Sequence, residues 1–93
     1  MDVKNVVEQL VWEHLEPVVA QKPDMCRCAR CQADIVALAL NHLKPRYAVS
    51  PMGHAITRAE IMDQAFLVNV LVAIAQGVEQ VYNNPRHDEV SQE

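Results

Sequence analysis

Residues 25–47 read MCRCARCQADIVALALNHLKPRY, and this stretch holds all three cysteines of the chain, an apolar helical run and a closing Lys44-Pro45-Arg46-Tyr47. Cys28 and Cys31 stand at the C-x-x-C spacing that lets one tight turn aim two thiolates at a single ion. Cys26 adds a third sulfur, within reach only if the chain before the helix is irregular. Cys31 falls in the predicted first turn of a helix, where partial positive charge favours thiolate over thiol. Three soft donors this close together suit Zn²⁺, which accepts tetrahedral sulfur-rich sites without redox chemistry. The alternative is three reduced thiols, two of them buried as small apolar residues. Arg27 and Arg30 interleave with the cysteines and make that burial unrewarding. An odd cysteine count and no export signal argue against a disulfide framework.

Outward from this knuckle the chain reads as helices. Ile35, Val36, Leu38, Leu40 and Leu43, with small Ala37 and Ala39, predict a central buried helix from about Ala29 to Leu43, stopped by Pro45. Before it, Val3, Val6, Val7, Leu10, Val11 and Val18 recur at helical spacing, predicting an amphipathic helix from about Asp2 to Ala20 with Asp2 as N-cap. Pro17 lacks the N–H that would bond back to Glu13, so a kink or break is expected near Glu16. After a loop from Pro45 to Ile56, Thr57-Arg58-Ala59-Glu60 matches a capping box and opens a predicted third helix running to about Asn83. Its middle, AFLVNVLVAIA from Ala65 to Ala75, is apolar everywhere but Asn69. That run is about half of what a bilayer requires, so no membrane insertion is expected. One small monomer has too few elements to cover such a helix. A homodimer is therefore expected, with Leu67, Val70, Leu71 and Ile74 near its interface. The tail from about Asp88 to Glu93 reads as disordered. The fold class is all-α: a single domain over residues 1–93, of three to four helices with a zinc knuckle, forming a helical homodimer.

Composition narrows the function. A 93-residue chain buries only about 60–65% of its unfolded surface, so support from a metal or a partner is expected. The formal net charge of −4 argues against direct nucleic-acid binding. Two glycines leave no Gly-rich phosphate cradle. The N-terminus MDVKNVVEQL shows no basic region followed by an apolar block, and the expected compartment is the cytoplasm, where thiols stay reduced.

The C-x-C-x-x-C, Asp34, the alternating Ala37-Leu38-Ala39-Leu40 before Asn41, and Pro45-Arg46-Tyr47 together resemble the signature of the ComFB family, named for a late competence development protein of bacteria. The resemblance extends to the apolar last helix and the Asn84-Pro85-Arg86-His87 tail, and so covers most of the chain. It implies a small all-α dimeric protein with bound zinc. Family members, in cyanobacteria especially, are associated with cyclic dinucleotide second messengers. His87 is the expected fourth zinc ligand beside Cys26, Cys28 and Cys31, giving a closed structural set. Some members carry a cysteine in this tail instead, and His14, His42 and His54 are the competing histidines.

Catalytic zinc keeps a position open for water and a nearby base, and neither an H-E-x-x-H pattern nor a nucleophile with a recognisable base appears, so no enzyme is expected. A cyclic dinucleotide needs cationic groups for its phosphates and flat surfaces for its purines. Lys44, Arg46 and Tyr47 supply these in one segment, and Arg58 is expected to add charge at the N-terminus of the third helix. Arg27 and Arg30 are further candidates. The leading reading is a zinc-stabilised receptor for a cyclic dinucleotide (c-di-GMP or c-di-AMP) with a downstream protein partner. The rival is a protein-interaction adaptor in competence and DNA uptake with no small ligand.

Overall fold

Asparagine at position 5 starts the helical part of the chain. In the computed structural model, which describes residues 2–85, Asn5 is extended and its Oδ1 accepts from the Val7 N–H at 3.1 Å, capping α1 (Val6–Val19). The same oxygen accepts from the Arg46 N–H at 3.0 Å, while the Val6 N–H donates to the Arg46 carbonyl at 2.6 Å. These bonds fasten a two-residue antiparallel pair, β1 (Lys4–Asn5) on β2 (Tyr47–Ala48), with Lys4 opposite Ala48 and Asn5 opposite Tyr47. An all-helical reading omits this pair. The helix start accordingly moves from Asp2 to Asn5, and Val3 leaves the buried stripe, 67% exposed. Pro17 does not break α1. It sits in the last turn, where it removes one bond, and the helix runs two residues further before ending.

The remaining helices are α2 (Ala29–Leu40), α3 (Pro51–Ile61) and α4 (Gln64–Asn83). The single long helix expected from Thr57 to Asn83 is two helices. Met62 takes a non-helical conformation, and Asp63 is extended with its Oδ1 accepting from the Phe66 N–H at 2.7 Å, so a new helix is capped there. Thr57 and Glu60 lie inside α3 and form no capping box; the cap is Ser50, whose Oγ accepts from the Gly53 N–H at 3.0 Å, followed by Pro51 at the first helical position.

The core lies where α4 packs on α2 and α1. Val6, Val7, Leu10 and Val11 from α1, Ile35 and Ala39 from α2, and Val70, Ile74 and Val78 from α4 fill it. Gly77 marks the crossing of α2 and α4: a Cβ there would stand 3.0 Å from the Ile35 carbonyl oxygen and 3.4 Å from its Cγ2. Two expectations change. α2 buries one face only, with Ala37 exposed and Leu38 and Leu40 half-buried. Val70 and Ile74 are 1% and 0% exposed within one chain, so they belong to the core and not to a subunit interface. By length and composition alone α4 would suffice to cross a bilayer (20 residues, mean hydropathy 1.4), and the shorter apolar run over 65–75 understates it; here one face of α4 packs inside the domain. α3 stands apart, with Ile61 its single buried residue and contacts mainly to β2 and α1.

Candidate metal centre and ligand surface

The segment between α1 and α2 is stapled on both sides. Arg27 donates to Glu16 of α1 at 2.5 Å. On the other side Lys22 pairs with Glu79 of α4 at 2.8 Å and lies 4.5 Å from the Tyr82 ring centroid, and the Tyr82 hydroxyl donates to Asp24. That hydroxyl holds the Asp24 carboxyl below its ordinary range. A loop fixed at Lys22, Asp24 and Arg27 delivers the cysteines in one place. The Sγ atoms of Cys26, Cys28 and Cys31 all lie within 4.8 Å of one another, and none is in a disulfide.

Such a cluster can hold a metal ion. Sulfurs on a tetrahedral ion with bonds of about 2.3 Å stand about 3.8 Å apart, so a small contraction closes the set. The environments of two thiols differ from the sequence expectation. Cys28 is the N-cap of α2 and its Sγ accepts from the Cys31 N–H at 3.4 Å. That bond leads the effects that pull its thiol down to about 7. Cys31, expected to be the thiolate, is buried, and desolvation pushes its thiol up to about 12. The helix terminus acts on the capping cysteine and not on the one a turn inside. No histidine joins the cluster among the described residues, which removes His14, His42 and His54. His14 instead places Nδ1 2.8 Å from the Leu10 carbonyl. His87 and the tail from Asp88 to Glu93 lie outside the described residues. Asp34 pairs with Arg30, whose Nε reaches both its oxygens at 3.2 and 3.3 Å.

The four residues read as a ligand site do not share one cavity. Tyr47, 62% exposed, lines a cavity of about 540 Å³ with Lys4, Asn5, Glu8 and Gln9. Lys44 lines another of about 440 Å³, between the end of α2 and α4, with His42, Phe66, Asn69, Val72 and Gln76. Arg46 donates to Glu60 at 2.9 Å. Arg58 is not at a helix N-terminus: it sits in the last turn of α3 and grips both carboxylate oxygens of Glu13, at 2.9 and 2.6 Å. This bidentate bond holds the Glu13 carboxyl below its ordinary range. Arg27, Arg30, Arg46 and Arg58 therefore all face carboxylates, and Lys4 and Lys44 are the cations without an ion pair among the described residues.

A small four-helix domain with a knuckle of three converging thiols is the class that this fold and cluster define. The family profile described as late competence development protein ComFB matches residues 4–85. The chain belongs to the ComFB family. It is 32% identical over 81 residues to the competence protein ComFB of Bacillus subtilis (strain 168), covering 87% of this chain and 83% of that one. It is also similar to the solved structure of the late competence protein ComFB from Bacillus subtilis, with a TM-score of 0.77 at 30% identity, over 91% of this chain and 96% of that chain.

Proposed function

We propose that the protein is a non-catalytic regulatory receptor for a cyclic dinucleotide, held in shape by one structural zinc on Cys26, Cys28, Cys31 and His87, and working as a homodimer. The observation that carries the ligand reading is the presentation of residues 44–47. The Asn5 side-chain oxygen and the Val6 N–H fix the Arg46 backbone, Tyr47 keeps its ring in solvent, and Lys44 has no ion pair among the described residues. The Arg46–Glu60 pair is exposed, 45% and 58%, and such pairs are worth roughly 0–1 kcal/mol. A phosphate therefore displaces Glu60 at little cost and gains a planar, paired contact from the guanidinium. The three converging sulfurs of Cys26, Cys28 and Cys31 support a sulfur-rich, structural metal site.

The dimer reading rests on α3. Met52, Ala55, Ile56 and Ala59 recur at 3 and 4 residue spacing and are all exposed, an apolar stripe facing away from its own core. Isothermal titration of the zinc-loaded protein with c-di-GMP and with c-di-AMP tests the receptor. Micromolar or tighter binding of either supports it, and no heat with both refutes it. The same exposed stripe also favours the second reading, an adaptor in competence whose partner is a protein, and that is the reading left standing by a null titration.

A further inference from the structure

The cysteine knuckle has features that a purely structural metal site does not require. Cys28 is the N-cap of α2, and Cys31 lies in the first turn, three residues on. Helix geometry puts their Cα atoms about 5 Å apart, inside the roughly 4.4–6.8 Å that a disulfide spans. Their Sγ atoms lie within 4.8 Å of each other, and the Cys28 Sγ accepts from the Cys31 N–H at 3.4 Å. The two thiols differ in access. Cys28 is half-buried and open to a small reagent, whereas Cys31 is 0% exposed. With that pairing, a first sulfur that becomes oxidised is captured by the second before it oxidises further. The loop does not depend on its sulfurs for its position. Arg27 on Glu16, Lys22 on Glu79 and Tyr82 on Asp24 hold it from both sides. The thiols therefore keep their places when the cluster changes state.

We propose that Cys28 and Cys31 form a reversible disulfide on reaction with a hydroperoxide, so that the knuckle is a thiol–disulfide switch as well as a metal holder. The Cys28 sulfur attacks one peroxide oxygen and the O–O bond breaks, leaving a sulfenic acid on Cys28 and releasing one water. The Cys31 sulfur then attacks the Cys28 sulfur, and the sulfenic oxygen departs as a second water. Together the two sulfurs lose two electrons, the peroxide gains them, and both thiol hydrogens end in water. A bonded pair no longer donates to a metal, so the sulfur set falls from three thiolates to Cys26 alone. Zinc is then released, and the folding free energy it supplies is lost. Zinc release rests on the metal reading above; the disulfide does not.

The test takes protein purified without added metal, measures its zinc, and treats it with one equivalent of hydrogen peroxide. Trypsin cuts after Arg27 and Arg30, so each cysteine falls on its own peptide and the bridge is read by mass. The expected product has lost two hydrogen masses, joins Cys28-Ala29-Arg30 to the peptide that begins at Cys31, and releases its zinc to a chelating dye. It melts lower than the reduced protein, and dithiothreitol with added zinc restores both mass and melting temperature. Cys26→Ser should still form the bridge. A bridge to Cys26, a bridge between two chains, or a sulfinic acid with no bridge overturns the proposal. A chain that keeps both its mass and its zinc also overturns it, and leaves the structural zinc standing. A chain that forms the bridge but held no zinc beforehand supports the switch and overturns the zinc reading alone.

Discussion

Replacing Gly77 by alanine should destabilise the protein, although the same change in most helix interiors does the opposite. Alanine is the better helix former by about 1 kcal/mol, so propensity alone predicts a gain. At Gly77 the new Cβ would stand 3.0 Å from the Ile35 carbonyl oxygen and 3.4 Å from its Cγ2. Carbon–oxygen contacts in proteins settle at about 3.3–3.6 Å, so α2 must retreat by roughly 0.3–0.6 Å at its crossing with α4. Ile35 is fully buried and α2 is rigid there, so the retreat loosens Ile35, Ala39 and Cys31 together against their neighbours. Overpacking of this kind costs about 1–3 kcal/mol, which exceeds the propensity gain and leaves a net loss of about 1 kcal/mol. Exposed Ala75, half a turn away on the same helix, isolates propensity: Ala75→Gly should cost about 1 kcal/mol with no packing change. The steric cost at Gly77 is the Gly77→Ala loss plus the Ala75→Gly cost. Urea unfolding of the metal-loaded protein followed by circular dichroism measures both, with an unchanged slope as the sign that only stability has moved. A Gly77→Ala protein that gains the full propensity increment would refute the close approach of the two helices.

Other outcomes follow from the site. Protein purified without added metal should carry one zinc per chain by elemental analysis, and Cys28→Ser should lower both zinc content and melting temperature, because metal binding in a small domain is largely folding free energy; a metal content near zero refutes this. Ile56→Asp should convert a dimer, read by light scattering at micromolar concentration, into a monomer with its helical content retained; a parent of single-chain mass refutes the assembly. The Glu13–Arg58 pair should stabilise the fold fully above the ordinary glutamate value of 4.5 and lose that contribution as pH falls through the lower folded value. Because both side chains are more than a third exposed, the effect is at most about 1 kcal/mol. Glu13→Gln should flatten that part of the acid-stability curve, and an identical curve would show the pair contributes nothing.

The cysteine knuckle was legible because its geometry is local: three sulfurs within six residues need only one loop and one helix cap to converge. The α1 stripe was legible for the same reason, since Val6, Val7, Leu10 and Val11 bury along one repeating face. What escaped the sequence depends on distant partners. The β1–β2 pair hangs on an Asn5 side chain meeting the Arg46 backbone 41 residues away, and Arg58 finds Glu13 across 45 residues. A guanidinium that reads as a free anion receptor in the sequence is thus already satisfied in the fold. The division of the last helix is written in local signals. Ser50-Pro51 and Asp63 are both ordinary start signals, and the Thr57–Glu60 match competes with them in the sequence although it lies inside α3.

The isolation of α3 has a kinetic meaning. A helix anchored by Ile61, one serine cap and two exposed ion pairs opens at far lower free energy than α2 or α4, whose amides are locked behind the core. Its amides should exchange with solvent deuterium long before the rest, with Met62 and Asp63 as the point where the slow and fast regions part. A subunit or protein that settles on Met52 and Ile56 would thus slow exchange in α3 without moving the melting of the core by a comparable amount. The domain carries its own local reporter of occupancy.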